Sequence, residues 1–152
     1  MKPVVISPDQ YLIDEEGTQT GVKKAWDLAR QDFRRAIRQR WVRKVVLMVG
    51  APASGKSTWL VRNKEWRAVY FDACLDLPWK RESFIEQAAD YDLPVEIVWL
   101  DTPLRVCLRR NRERTQDRQV PETVIRAMAA KIAECPPDGE AENCRLFRVV
   151  TN

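Results

Sequence analysis

The stretch Gly50-Ala51-Pro52-Ala53-Ser54-Gly55-Lys56-Ser57-Thr58 constrains this chain more than any other. It fits the spacing G-x-x-x-x-G-K-[ST], and its flanks fit as well. Lys44-Val45-Val46-Leu47-Met48-Val49 enters it as a short apolar strand, and Ser57-Thr58-Trp59-Leu60-Val61 leaves it as the start of a helix. Gly50 and Gly55 allow backbone conformations and close approaches that a Cβ would block. The loop's N–H groups and the helix N-terminus then aim at anionic oxygens. Gly50, Ala53, Ser54, Gly55, Lys56, Ser57 and Thr58 are the expected phosphate contacts. Lys56 has the reach for β- and γ-phosphates, and the Ser57 hydroxyl can ligate Mg²⁺. A plain glycine turn would not need all the fixed positions and both flanks. A nucleoside triphosphate, ATP with Mg²⁺, is the expected ligand.

A chain of 152 residues suits one domain, 1–152, with one sizeable core. At 45% hydrophobic and 32% charged residues it has the balance of a soluble globular protein. No apolar run approaches a membrane span, and Met1-Lys2-Pro3-Val4-Val5-Ile6 is too short and too soon polar for a signal peptide. Cys74, Cys107, Cys135 and Cys144 are scattered, with no metal-binding spacing, so reduced thiols and a cytoplasmic location are expected. There is no His, so any proton acceptor must be a carboxylate or another group. Six Trp is high for this length, and some are expected on a binding surface.

The net charge of +4 is unevenly placed. Residues Lys23 to Lys44 hold nine basic and two acidic side chains, and Arg105 to Arg118 hold six Arg against Glu113 and Asp117. Basic segments on a nucleotide-binding domain point to polyanionic ligands, although a solvated helix face explains the first segment equally well.

Along the chain, Val4–Ser7 reads as a strand ending in Pro8-Asp9-Gln10-Tyr11. Val22, Ala25, Trp26, Ala29, Phe33, Ala36 and Ile37 recur at helical spacing, predicting an amphipathic helix that ends near Trp41. After the phosphate loop and its helix, Arg67–Asp72 is a strand with an acidic end. Pro78 starts a helix with Trp79, Phe84, Ile85 and Ala88 as its apolar stripe. Val95–Leu100 is a strand closed by Asp101-Thr102-Pro103, and Leu104 to about Asn111 is a short helix. Pro121 opens a helix bearing Val124, Ile125, Met128 and Ile132, and Leu146–Val150 is a final strand. Five short apolar strands alternating with helices predict a three-layer α/β fold with a largely parallel sheet. Ligands of such sheets sit beyond the strands' carboxyl ends, so Asp9, Gly50, Asp72 and Asp101 are candidates by position. Asp101 is the weakest, because Asp-x-Pro after a strand is commonly turn chemistry alone.

Phosphate loop, acidic strand ends and an Arg-rich helical segment together resemble the P-loop kinases, and most closely the phage polynucleotide 5′-hydroxyl kinase family. Four stretches carry the likeness: Val5-Ile6-Ser7-Pro8-Asp9-Gln10-Tyr11, the phosphate loop, Val98-Trp99-Leu100-Asp101-Thr102-Pro103-Leu104, and Arg110-Asn111-Arg112-Glu113-Arg114 running to Val120-Pro121-Glu122-Thr123-Val124-Ile125. The order of segments departs from that family. There the strand with the Asp signature follows the phosphate loop, and here it comes first, as in a permuted chain. Leu12 stands where the family carries a basic residue, and Asp72-Ala73-Cys74-Leu75 keeps the family's acid without its Thr-Asn pair.

The resemblance implies ATP-dependent transfer of a γ-phosphate to a hydroxyl, with the 5′-OH end of DNA or RNA as acceptor. It implies Asp9 as the group that orients and deprotonates the hydroxyl, and Lys56 and Ser57 at the phosphates. Residues of about 105–120 become a lid, with Arg114 and Arg118, joined by Arg110, facing the transferring group. Asp72 would hold Mg²⁺ through water or orient the lid. A kinase for a small metabolite or nucleotide, and a non-catalytic nucleotide-dependent binding module, stay open as alternatives. A GTPase switch is disfavoured, since Asn63-Lys64 is followed by Glu65-Trp66 rather than completing N-K-x-D. Nothing in the pattern calls for a membrane or a protein partner.

Overall fold

The computed structural model describes residues 2–14 and 16–150. Five strands form one sheet: β1 (Val4–Ile6), β2 (Lys44–Val49), β3 (Ala68–Phe71), β4 (Val95–Asp101) and β5 (Arg145–Val150). Their order is β1-β3-β2-β4-β5, and every pairing is parallel. The helices are α1 (Val22–Ile37), α2 (Lys56–Asn63), α3 (Pro78–Ala89), α4 (Leu104–Glu113) and α5 (Glu122–Glu134). The three-layer fold expected from alternating strands and helices is what forms, with the Val4–Ile6 strand on an edge beside β3.

The two faces of the sheet are read from alternation along its strands. Val45, Leu47 and Val49 of β2, with Val69 and Phe71 of β3, pack against α1 and α3. Val46, Met48, Tyr70, Val98 and Leu100 face Leu60 of α2 on the other side. On the first face four aromatic rings interlock. Phe33 of α1 meets Phe84 of α3 edge-on at 5.0 Å, Phe71 lies 4.3 Å from Phe84, and Trp26 lies 5.8 Å from Phe71. This cluster fixes α1, and with it the turn that follows β1, against the strand that carries Asp72.

α1 ends at Ile37 rather than near Trp41. Gln39 N–H donates to Ala36 O and Val42 N–H to Gln39 O, so the chain leaves the helix through turns. Trp41 still packs on the core from outside the helix, which is why its apolar spacing resembles a last helical turn.

The stripe expected on α3 is also corrected. Phe84 and Ala88 are buried, but Trp79 is 66% exposed. At about 100° per residue Trp79 lies opposite Ala88 on the helix. The buried place is taken by Arg81, whose guanidinium donates to both Glu142 carboxylate oxygens at 2.6 and 3.0 Å and to Leu75 O at 2.5 Å. A buried ion pair of this kind contributes little net stability but costs about 3–5 kcal/mol to break from one side. Here it pins the loop after β3, which carries Asp72 and Cys74. Asp76 in the same loop accepts from Lys80 at 2.6 Å and faces Lys131 of α5 at 4.0 Å.

Candidate functional site

The phosphate loop joins β2 to α2, and its geometry needs its glycines. A Cβ on Gly50 would sit 2.5 Å from Ser54 Oγ and 3.2 Å from Leu100 O. Gly55 caps α2 with φ +103°, a left-handed conformation that L side chains rarely adopt. Ala53 also takes a left-handed φ of 64°. A non-glycine residue held there marks a loop over-determined by its surroundings, as at many ligand clamps.

Those surroundings come from three elements. Thr102 Oγ1, at the end of β4, donates to Ser54 O at 2.7 Å. Arg110 of α4 donates to the same carbonyl at 3.2 Å. Lys56 Nζ donates to Gly50 O at 2.8 Å and Ala51 O at 3.0 Å, and lies 3.6 Å from Cys74 Sγ. The Lys56 ammonium is thus satisfied by the loop's own carbonyls. Ser54 Oγ is buried without a hydrogen-bond partner among the described residues.

Asp72 follows β3 directly, and its Oδ2 lies 3.4 Å from Ser57 Oγ. Burial pushes the Asp72 carboxyl above the usual carboxylate range; the Lys56 ammonium opposes this, the Asp9 carboxylate adds to it, and the Ser57 hydrogen bond opposes it. Asp9 lines the same cleft as Lys56, Ser57 and Asp72, so the turn after the first strand lies beside the phosphate loop. Asp9 sits in the 3-10 turn Pro8–Tyr11, capped by Ser7 Oγ, which accepts its N–H at 3.3 Å. Tyr11 fastens that turn to α1 by donating its hydroxyl to Asp32. Burial and this bond push the Tyr11 phenol up to about 12. Thr20 Oγ1 secures the same turn through Tyr11 O.

Two clefts adjoin the loop. One, of about 590 Å³, has Trp59, Leu100 and Val149 as apolar walls and Thr58, Arg62, Arg110 and Arg114 as polar rim. The other, of about 480 Å³, is lined by Asp9, Lys56, Ser57 and Asp72, by Val22 and Trp26 of α1, by Val120, and by Val124 and Met128 of α5. Ala53, Ser54, Gly55, Thr58 and Arg114 line both. Arg114 therefore stands where the two spaces meet. Arg118 is exposed on the 3-10 turn Gln116–Arg118 and lines neither cleft. The segment from α4 to the start of α5 is built as a unit. Asn111 is buried and clasps Val120 through both backbone groups, at 2.8 and 2.9 Å, and Leu108 and Ile125 pack with Ala51 of the phosphate loop. Asp101 turns away to Arg148 of β5, accepting at 2.8 and 2.5 Å.

Of the residues sequence pattern misses, Val22, Trp26 and Val124 are the most informative. They belong to apolar helical stripes and read as core, yet Val22 is 67% exposed and all three line the second cleft. Periodicity identifies a helix face, not whether the end of that face meets core or cavity. Thr102 was concealed within a turn-forming triplet.

A family model described as an AAA domain matches residues 61–135, from the second half of α2 to just beyond α5. The phosphate loop lies outside the matched stretch. No curated protein matches the chain. Loop, parallel sheet and match agree on a P-loop nucleotide-binding fold, consistent with ATP-dependent activity in general. Among the described residues no helix is long and apolar enough to cross a membrane.

Proposed function

We propose that the protein is a kinase that moves the γ-phosphate of ATP to the 5′-hydroxyl of a polynucleotide, and that its segment order is a permutation of the phage polynucleotide kinase pattern. The observation that carries this reading is the pair of clefts sharing one phosphate loop. A hydrolase or switch needs a single nucleotide cleft. Here a second one, with acidic groups, Lys56 and apolar walls, shares Ala53, Ser54, Gly55, Thr58 and Arg114 with the first.

In this reading the first cleft takes the donor. Trp59, Leu100 and Val149 suit the flat apolar base, and Thr58 and Arg62 its sugar and phosphates. The loop residues Gly50 to Thr58 and Lys56 hold the phosphate chain, with Arg110 bracing the loop from α4. The second cleft takes the acceptor end, its sugar and base between Trp26 and Val124. Asp9 accepts a hydrogen bond from the hydroxyl and aims it at the γ-phosphorus. The hydroxyl oxygen forms the new P–O bond, the bond to the β–γ bridging oxygen breaks, ADP leaves, and the hydroxyl proton passes to Asp9. Arg114 neutralises charge on the transferring group from between the clefts.

The residues present fit Mg²⁺. Ser57 Oγ and the Asp72 carboxylate face each other at 3.4 Å beside the loop. Among the described residues no cluster of three acidic, Cys or His side chains could hold a metal by itself. Mg²⁺ is commonly held in this way, by one or two protein groups together with phosphates and water. When bound, it supplies charge neutralisation between the β- and γ-phosphates.

Two expectations follow for the site. Arg114→Ala should lower kcat about 10³-fold or more with little change in the Kd for ATP, the size associated with an arginine at the transferring phosphoryl group. Arg118→Ala should stay within a few-fold of wild type; paired kinetics of both variants check this. The second concerns pH. Asp72 is useful to Mg²⁺ only as a carboxylate, and its pKa is raised, so turnover should climb with pH through an ionisation above the usual carboxylate range. Raising Mg²⁺ should move that limb to lower pH, because the cation competes with the proton. Asp72→Asn should abolish the shift.

Labelled ATP offered with a 5′-hydroxyl oligonucleotide, its 5′-phosphorylated control, and a panel of nucleosides and small alcohols tests the acceptor. Label on the first alone supports the proposal. Label only on small acceptors makes the protein a metabolite kinase, and hydrolysis or binding without transfer makes it a nucleotide-dependent module.

A further inference from the structure

α1 carries a charge pattern that phosphoryl transfer itself does not use. Its buried side is Ala25, Ala29, Phe33 and Ile37. At about 100° per residue, Lys23, Arg30, Arg34 and Arg38 fall within one quarter of the helix, bordering the buried side next to Ile37. Among the described residues, Lys23, Lys24, Arg34 and Arg38 have no carboxylate partner, whereas Arg30 reaches Asp27 at 3.6 Å and Arg35 reaches Asp32 at 2.9 Å. The cation stripe starts at the acceptor cleft. Val22 and Trp26 are walls of that cleft, and the Arg30 guanidinium lies 5.2 Å from the Trp26 ring. It ends in a separate groove of about 390 Å³ between the C-termini of α1 and α3. There Arg34, Arg35 and Arg38 outnumber Asp90, and Arg38 Nε donates to the hydroxyl of the exposed Tyr91 at 3.0 Å.

We propose that this stripe is a track for single-stranded polynucleotide, running from the acceptor cleft along α1 to the Arg34–Arg38–Tyr91 groove. The inference rests on the kinase reading above and adds where the rest of the acceptor strand lies. Lys23 to Arg38 spans about 22 Å at 1.5 Å per residue. That is the length of about six nucleotides at a rise of 3.4 Å per strand. Lys23 meets phosphate at the start of the stripe and Arg34 and Arg38 at its end, with Arg30, paired to Asp27, between them. Trp26, carrying the Arg30 guanidinium over its ring, lies at the start and the exposed Tyr91 at the end, the aromatic and cationic groups that sequence-tolerant single-strand binding uses. It also gives the site a basic hold on the nucleic acid that Leu12 cannot supply. A solvated helix face would need neither the continuity with the cleft nor the aromatic residues at both ends.

The test is transfer to 5′-hydroxyl oligonucleotides of two to twelve nucleotides, in wild type, in Arg34→Ala/Arg38→Ala and in Arg34→Lys/Arg38→Lys. In wild type KM should fall with length and level off near six to eight nucleotides. The alanine pair should lose this dependence, with KM for the longer strands raised about tenfold at low salt and the slope of log affinity against log salt reduced by about 1.4. Its kcat on the dinucleotide should match wild type, and the lysine pair should keep most of the length effect. A KM independent of length, or alanine and lysine pairs that behave alike, overturns the track while leaving the kinase reading in place. Absence of transfer to every oligonucleotide overturns the kinase reading, and the track with it.

Discussion

Lys56→Ala should abolish phosphoryl transfer, with kcat down at least about 10³-fold. One preorganised cation or donor at a developing charge is worth about that much in a water-poor site. The position of Lys56 explains why nothing nearby replaces it. Its ammonium already lies over the loop, bonded to Gly50 O and Ala51 O, and needs only to exchange those carbonyls for phosphate oxygens. Arg110 is engaged from α4 with Ser54 O, and Arg114 stands between the two clefts. The same bonds predict a smaller, separate effect. Truncation leaves two carbonyls of a buried stretch without their donor, costing about 1–3 kcal/mol of stability. Thermal unfolding beside single-turnover kinetics separates the two. A variant that folds and still transfers at the wild-type rate would exclude the loop as the phosphate site.

Asp9→Asn should lower turnover by about 10²–10⁴, the range for a positioned acid–base group, with the Kd for ATP unchanged. Asparagine keeps the size of the side chain and leaves its surroundings intact. The 3-10 turn is held by Ser7 Oγ, by Tyr11 on Asp32 and by Thr20 on Tyr11 O, none of which involves the Asp9 carboxylate. What is lost is the proton acceptor and the negative charge facing the hydroxyl. Asp72 is engaged with Ser57. Equal kcat in variant and wild type would remove Asp9 from the chemistry.

The parts of this molecule legible in sequence are those specified locally. The phosphate loop is one, because two glycines, a lysine and a hydroxyl at fixed spacing between a strand and a helix have few other uses. The parallel sheet is another, since Val45–Val49 and Val95–Leu100 are too short for helices and apolar on both faces. The placement of Asp9 was legible only as an expectation, because it depends on β1 joining the sheet beside β3, sixty-five residues away in register. Non-local pairs left no pattern at all. Arg81 reads as an ordinary helical residue, and its burial is set by Glu142, 61 residues further on. Trp26 and Val124 read as core because periodicity cannot distinguish a protein interior from an apolar cleft wall. Arg114 and Arg118 look equivalent in an Arg-rich run. The clasp of Asn111 on Val120 fixes the course of the lid between them, and only Arg114 lines the clefts.

The division of labour between the two clefts is tested most directly by a crystal structure of the protein with a non-hydrolysable ATP analogue and a 5′-hydroxyl oligonucleotide. The decisive quantity is the distance from the acceptor 5′ oxygen to the Asp9 carboxylate. The predicted result is hydrogen-bond contact, about 2.6–3.2 Å, with the nucleotide base against Trp59 and Val149. A 5′ oxygen bound away from Asp9, or a nucleotide base in the cleft between Trp26 and Val124, would contradict the account.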